Sequence, residues 1–455
     1  MSIPESARSR ALLLVIAVGV AGTLAFGQGT QRGQAQKPKE LTQDDIFQPA
    51  KIWTAHLTFT ADQWRAMQPT RAATTGGRWN GSEWLQGAPG NRNGWGAANG
   101  VEFHYVHADL EFADRQFHDV GVRFKGNGTY LDARGTDKFP FKVDLNKYAK
   151  GQKLAGLETL NFHNNITDAG WMNEVLAYRL YRDAGVPAPR SSYLRMYVTV
   201  AGQFSHKYLG LYTLAENVDE NFFQARTGSG AGMLLKPVSV NPFKDLGNDW
   251  KAYVQTYDPK SDLTDAEQRR VIEFCRLVTH ASDAEFATRI GSYIDLEAFA
   301  RYYAVLVWIN NIDSLLDRGQ NFYLHEHPVT HTFTFIPWDQ DHSFGGFAQV
   351  ERRQYETGSI YKPWSDNIRF LARMYAVPAF RNAYLARMRE FSGTIFKPER
   401  FAAQVAELTP IIRPVVAEEP RRVRGFEDVA AGRTGLVPFT AARARSVVAQ
   451  LQKSQ

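Results

Sequence analysis

Apolar periodicity changes once along the chain, and that change limits its fold more than any other feature. Up to about residue 215, hydrophobic residues alternate with polar ones. Over residues 119–125, Val120, Val122 and Phe124 oppose Gly121, Arg123 and Lys125. Over 138–144, Phe139, Phe141 and Val143 oppose Lys138, Lys142 and Asp144. A turn-like AGQFSH joins two more strand patterns at 193–200 and 207–214. One helix interrupts this part: WMNEVLAYRLYRDAG follows a Thr167/Asp168 cap and stops at Gly185 before Pro187 and Pro189. Beyond residue 215 the apolar spacing is three–four, as in DAEQRRVIEFCRLVTHA, LEAFARYYAVLVWINNI and AFRNAYLARMREFSG. Strands first and helices after predict an α+β fold with a sheet-rich N-lobe, 48–215, and a helical C-lobe, 216–455.

The N-terminus bears on compartment. Arg8 and Arg10 precede an uncharged stretch, 11–27, that ends in small residues, so 1–27 reads as a secretory signal peptide and 28–47 as a polar linker. The protein is then secreted, periplasmic or held in the cell envelope. Contact with a membrane is expected only if the segment stays uncleaved, since its apolar run falls short of the roughly 20 residues of a full span. A single Cys in 455 residues excludes an intrachain disulfide framework, and a net charge of +6 is too weak to suggest a nucleic-acid partner. Residues 76–100, rich in Gly and carrying Trp79, Trp84 and Trp95, read as a loop inserted in the N-lobe, with a decorative role favoured over a binding flap.

Chemistry concentrates in WINNIDSLLDRGQNFYLHEHPVTHTFTFIPWDQDHSFGG. A helix ends near Ile312, a polar loop runs from Asp313 to Asn321, and a hairpin leads into Trp338-Asp339-Gln340-Asp341. With Glu326 opposite Thr332, Asn321 lies opposite about Pro337, so Asn321, Asp339 and Asp341 gather at the open end beside Asp313. Hard oxygen donors of this kind suit Mg²⁺ or Mn²⁺ bound to a polyphosphate, with one carboxylate left to orient a hydroxyl. The earlier strands add Lys125, Lys138 and Lys142, the glycine loop Gly126-Asn127-Gly128-Thr129, and Glu174 on the following helix, which could hold a lysine as an ion pair. The order of these parts is that of a kinase-like phosphotransferase.

VRFKGNGTY, KFPFKVDL, LETLNFHNN, AYRLYRDAGVPAPRSSYLRMYV, LGLYTLAENVDENFF, NNIDSLLDRGQNFYLH and FIPWDQDHSFGG resemble successive motifs of the spore-coat protein H (CotH) kinase family. The resemblance covers about residues 52–419 and implies a bilobal protein-kinase-like fold that uses ATP and a divalent metal to phosphorylate Ser/Thr of exported proteins. It implies Asp313 as catalytic aspartate, Asn321 and Asp339 as metal ligands with Asp341 beside them, Lys142 as the phosphate-contacting lysine and Glu174 as its partner. Glu216, between the lobes, would lie by the adenine. The family's glycine segment usually reads GNSS, and Gly128-Thr129 stands here in place of the serines. Asp317 competes with Asp313, and Lys125 and Lys138 compete with Lys142.

Other chemistries find less support. His163, His325, His327, His331 and His342 lack HExxH spacing and read as turn or surface residues. There is no GxSxG elbow. Transfer of AMP from the same site, or a non-enzymatic adhesion role on the same scaffold, are the alternatives.

Overall fold

The computed structural model describes residues 40–69, 84–347, 351–419 and 423–453. The expected signal peptide, the linker as far as residue 39 and residues 76–83 of the insertion lie outside them. Seven strands, β1 (Ile52–Phe59), β2 (Val106–Phe112), β3 (Arg115–Phe124), β4 (Phe141–Asp144), β5 (Thr159–His163), β6 (Ser191–Val200) and β7 (Phe204–Ala215), form a closed barrel. The order is β1-β2-β3-β4-β5-β7-β6, and β1 closes the ring by running parallel to β6. Alternation explains the packing: Leu57, Leu110, Val122, Phe141, Phe162 and Leu194 are fully buried in one core. The expected mixed α+β fold is therefore the one observed.

Register sets the polar side of the barrel. Arg123 pairs with Lys142, and Lys142 with Asn161, so three polar side chains stand abreast on the face away from that core.

The helical half packs around a second core, shared with Tyr193, Leu211 and Ala215 and with the helix Asn173–Asp183. The expected Thr167/Asp168 cap is not formed: Met172 is the N-cap and offers no side-chain cap, Thr167 donates to Asp341, and Asp168 accepts the Asn173 N–H at 2.7 Å from outside the helix. At the centre lies Leu296–Ile309, whose Ala304, Val305, Leu306 and Val307 are all fully buried, as its second half, apolar on every side, must be. It ends at Asn310 in the left-handed region, φ 47°, three residues before Asp313 and earlier than the expected end near Ile312. Cys275 is fully buried and free, as its apolar helical setting suggested.

The hairpin of β9 (Phe322–Glu326) and β10 (Phe333–Pro337) is present, with a short third strand, β8 (Leu234–Leu235), on its other edge. Its register is one residue from expectation, because Glu326 pairs with Phe333. Asn321 still sits at the open end, where its carbonyl accepts the Trp338 N–H at 3.0 Å.

Two expectations about connecting segments need correction. The end of the supposed linker is folded: Thr42 caps the helix Gln43–Ile46, Ile46 is fully buried, and Trp53 Nε1 donates to the Ile46 carbonyl at 2.9 Å. The described part of the insertion is not decoration either. Leu85 packs against Val238 and Val240, Asn93 donates to the Val238 carbonyl at 3.0 Å, and the Gly96 N–H donates to Asn127 of the glycine loop. Gly94 has φ 138°, and a Cβ there would lie 2.9 Å from the Asn127 side chain. Among the described residues no helix is long and apolar enough to cross a membrane.

Candidate active site

Asp313 lies in a single wide turn, Ile312–Leu316, immediately after the central helix. Its N–H donates to Asn311 Oδ1 at 3.0 Å, which fixes the turn. Gln320 Nε2 donates to its Oδ1 at 2.6 Å, and Asn321 Nδ2 donates to its Oδ2 at 2.9 Å. Burial raises the Asp313 pKa above the usual carboxylate range, opposed by nearby His342 and by the Gln320 hydrogen bond and reinforced by Asp339. The competitor Asp317 pairs with its neighbour Arg318 at 3.1 Å.

Across the recess a chain of polar contacts runs from the barrel to the hairpin. Lys125 Nζ contacts His163 Nε2, and His163 Nδ1 lies 2.7 Å from Glu174 Oε2. Glu174 Oε1 accepts the Tyr178 hydroxyl at 2.8 Å, and the Tyr178 oxygen accepts the Asp339 N–H at 3.1 Å. Burial, then Lys125, pushes the His163 pKa down to about 3. The neutral ring therefore donates from Nδ1 to Glu174 and accepts at Nε2 from Lys125. Burial also lowers Lys125, tempered by Asp339 and Glu174, and raises Glu174, tempered by Tyr178 and Lys125.

Lys125, Gly126, Thr129, His163, Glu174, Asp339 and Asp341 line one recess. Gly126 has φ 79°, and a Cβ there would lie 2.3 Å from Thr129 Oγ1, so the loop's first glycine is required by its turn. Gly128 opens the short helix Gly128–Asp132, with nothing within 4 Å of where its Cβ would be. Ligand atoms of His163, Glu174 and Asp339 lie within 4.8 Å of one another. Both nitrogens of His163 are spent on Lys125 and Glu174, so carboxylate oxygens are the donors open to a cation, which fits a hard ion such as Mg²⁺ or Mn²⁺. Asp341 is 6% exposed, and its carboxylate accepts the Thr167 hydroxyl. Mutual repulsion with Asp341 adds to burial in raising the Asp339 pKa.

The lysines are placed differently from expectation. Lys125, not Lys142, joins Glu174, and it does so through His163. Lys142 faces Arg123, Lys260 and Asp219, and burial with those cations takes its pKa down to about 7. Lys138 is outside the recess: it forms a buried ion pair with Glu419 at 2.6 Å. Glu216 is 1% exposed and bridges Arg190 and Arg226 at 2.6 Å each, while its N–H donates to the Arg190 carbonyl. Its carboxylate and its N–H are thereby both engaged, so any contact with an adenine would fall to its carbonyl.

Three residues of the site were not singled out from sequence. His163 reads there as a turn residue, yet alternation in LNFHN puts it and Asn161 on the polar face of β5, which was the available signal. His342 stands among Asp341, Asp313 and Asp339; burial opposes its protonation, but the three carboxylates outweigh it and raise its pKa. Lys236 holds its Nζ 5.3 Å from the ring centres of Tyr323 and Trp338.

The family described as CotH kinase protein matches residues 122–451. Inner spore coat protein H of Bacillus subtilis (strain 168) is 21% identical over 313 residues, covering 68% of this chain and 81% of that protein. Among solved structures, the Shewanella oneidensis MR-1 toxin antitoxin system HipA, HipB and operator DNA complex aligns at 12% identity and TM-score 0.27, covering 66% of this chain and 59% of that one. The family match spans every residue from Lys125 through Glu174, Asp313 and Asn321 to Asp341, and the chain belongs to the CotH kinase protein family.

Proposed function

We propose that the chain is a metal-dependent protein kinase that transfers the γ-phosphate of ATP to Ser or Thr hydroxyls of exported proteins, and that it is itself exported. Family membership supports the kinase reading, and the spore-coat relative supports a place outside the cytoplasm. The observation that carries the mechanism is the facing of two sets of groups: Asp313, held by Gln320 and Asn321, and Lys125, held by His163 and Glu174, with Asp339 between them in charge range of both.

Asp339 and Asp341, with the Asn321 amide oxygen, are the groups that would hold a divalent ion, which when bound neutralises phosphate oxygens. Lys125 supplies a fixed cation to the same phosphates, and the neutral His163 keeps its ammonium aimed without adding charge. Asp313 accepts a hydrogen bond from the acceptor hydroxyl and takes its proton as that oxygen bonds to the γ-phosphorus and the bond to the ADP oxygen breaks. Burial of Asp313 makes its carboxylate a better proton acceptor than an exposed one.

Incubating the protein with labelled ATP, Mn²⁺ or Mg²⁺ and a Ser/Thr-rich acceptor tests this reading, with mass spectrometry of the product. Transfer of phosphate that disappears in Asp339→Ala is expected. No transfer, an AMP adduct, or equal transfer by the variant would overturn it.

A further inference from the structure

The loop that carries Asp313 also carries a cation whose hydrogen-bond donors are unspent. Arg318 lies between Asp313 and Asn321, with its side chain 28% exposed. Its guanidinium stands over two rings, 5.1 Å from the centre of Trp84 and 5.9 Å from that of Phe347. The Nε faces Asp317 Oδ2 at 3.1 Å, a contact of charge. Among the described residues no guanidinium N–H of Arg318 donates a hydrogen bond.

Both supports of this guanidinium are fixed. Trp84 meets Trp95 edge-on at 5.5 Å and packs against Leu85, Val238 and Val240. On the other side the Tyr355 hydroxyl donates to the Phe347 carbonyl at 3.0 Å. The backbone is pinned as well: Gly319 has φ 58°, its carbonyl accepts the Ser239 N–H at 3.0 Å, and a Cβ there would collide with the Ser239 carbonyl. A cation held in place before its ligand arrives lowers the ordering cost of binding.

Charge puts Arg318 on the side of the acceptor hydroxyl rather than of the nucleotide. Burial raises the Asp313 pKa, and Arg318 is among the groups that oppose it. Asp339 answers instead to burial and then to Asp341, His163, Lys125 and Glu174. Arg318 does not line the recess of Lys125 and Asp339. A ring-backed planar fork matches paired oxygens, so an anionic side chain gains there and a neutral one does not.

We propose that Arg318, set against Trp84 and Phe347, recognises an oxyanion that the acceptor protein carries close to the Ser or Thr served by Asp313. The oxyanion is an Asp or Glu carboxylate or a phosphoryl group already on the acceptor. Trp84 belongs to the inserted segment, which thereby enters acceptor recognition. The role of the neighbouring hydroxyl rests on the phosphotransfer reading, whereas binding of the oxyanion does not.

The test is fluorescence-anisotropy titration of the full chain, at physiological salt and without ATP, with labelled serine peptides. Each flanking position in turn carries Asp, phosphoserine or Asn. At one position or more the anionic peptides should bind about tenfold tighter than the Asn peptide. Arg318→Gln should abolish that difference while leaving the affinity for the Asn peptide unchanged, and Arg318→Lys should keep part of it. Trp84→Ala should weaken the anionic peptides alone. Equal binding of all peptides by wild type overturns the proposal, as does a folded Arg318→Gln or Arg318→Lys that discriminates like wild type. Tighter binding of phosphoserine than of Asp assigns the site to a phosphorylated acceptor, and the reverse order to an acidic one. In phosphotransfer assays Arg318→Gln should raise the KM for the anionic peptide and leave the KM for ATP as it was; a rise in the ATP value instead overturns the proposal. Arg318-dependent peptide binding without phosphotransfer leaves the site standing and removes only the kinase reading.

Discussion

The side-chain amide of Asn321 donates to Asp313 twice over, to its main-chain carbonyl at 2.7 Å and to its carboxylate at 2.9 Å. The nitrogen end of the amide is thereby spent on orienting Asp313, and only the oxygen end is left for a cation. Removing it in Asn321→Ala frees the Asp313 carboxylate and, on the proposed function, deletes one metal donor together. Phosphotransfer should fall about 100-fold, the scale of losing a supporting contact at a metal site, with the Mn²⁺ concentration for half activity raised. Initial rates against metal concentration decide it, and an unchanged metal dependence would count against the assignment.

Rank order among the lysines is a second check. Lys125 is linked through His163 to Glu174, whereas Lys142 faces Asp219 and other cations. Lys125→Met should cost kcat at least about 100-fold, and His163→Ala a smaller part of that through a misplaced ammonium. Lys142→Met should act on nucleotide or acceptor affinity more than on kcat.

Lys142 also makes a prediction about stability. Its folded pKa, about 7, lies below the unfolded value of 10.5, through burial, Arg123, Lys260 and Lys125, opposed by Asp219. The unfolded chain therefore holds an extra proton between these pH values, and stability rises with pH across that window. The penalty is complete below pH 7, so Lys142→Met should stabilise the ligand-free protein by roughly 1–3 kcal/mol near pH 6, shrinking toward pH 10. Denaturant midpoints at three pH values measure it.

His325 works on the acid side. It is 3% exposed, stacks on Phe223 with ring centres 3.7 Å apart, and burial takes its pKa down to about 4 from 6.5. The unfolded chain protonates first as pH falls, so this residue's share of stability is whole above pH 6.5 and lost progressively toward pH 4. Wild type should lose on the order of 1–3 kcal/mol across that interval through this group. His325→Phe should flatten the slope while losing the contact to the Ala231 carbonyl at every pH.

The Lys138–Glu419 pair ties the chain beyond the helix Pro398–Val416 to the barrel. Glu419 accepts both Lys138 Nζ and the Leu211 N–H at 2.6 Å. Lys138→Met leaves a buried carboxylate short of its cation and should cost about 3–5 kcal/mol of stability, read as a lower melting temperature. Phosphotransfer per folded molecule should be unchanged.

Legibility in the sequence followed the strength of each local signal. Alternation located the strands that carry Val122, Phe141 and Leu214, and three–four spacing found the helix of Phe299 and Val305, because one-sided or complete burial imposes those periods. The two residues of β8 are too few to show any period. The acidic loop was legible because Asp313, Asn321, Asp339 and Asp341 are close in sequence and joined by one hairpin. A one-residue error in its register did no harm, since Asn321 stays at the open end in either alignment. The lysine partner was not legible. Lys125 and Lys142 both occupy the polar face of neighbouring strands, and their proximity to Glu174 depends on where a helix outside the sheet comes to rest. Lys138 was misread because its partner, Glu419, is remote in the chain.

The imidazole of His163, interposed between lysine and glutamate, also bears on how relatives would be sorted. A survey that takes a direct lysine–glutamate contact as the mark of an intact catalytic centre would file this chain among inactivated copies. A survey that asks only for a lysine, a glutamate and a neutral bridging ring within one recess would keep it, and would gather with it sequences in which the same three side chains are spread over different strands.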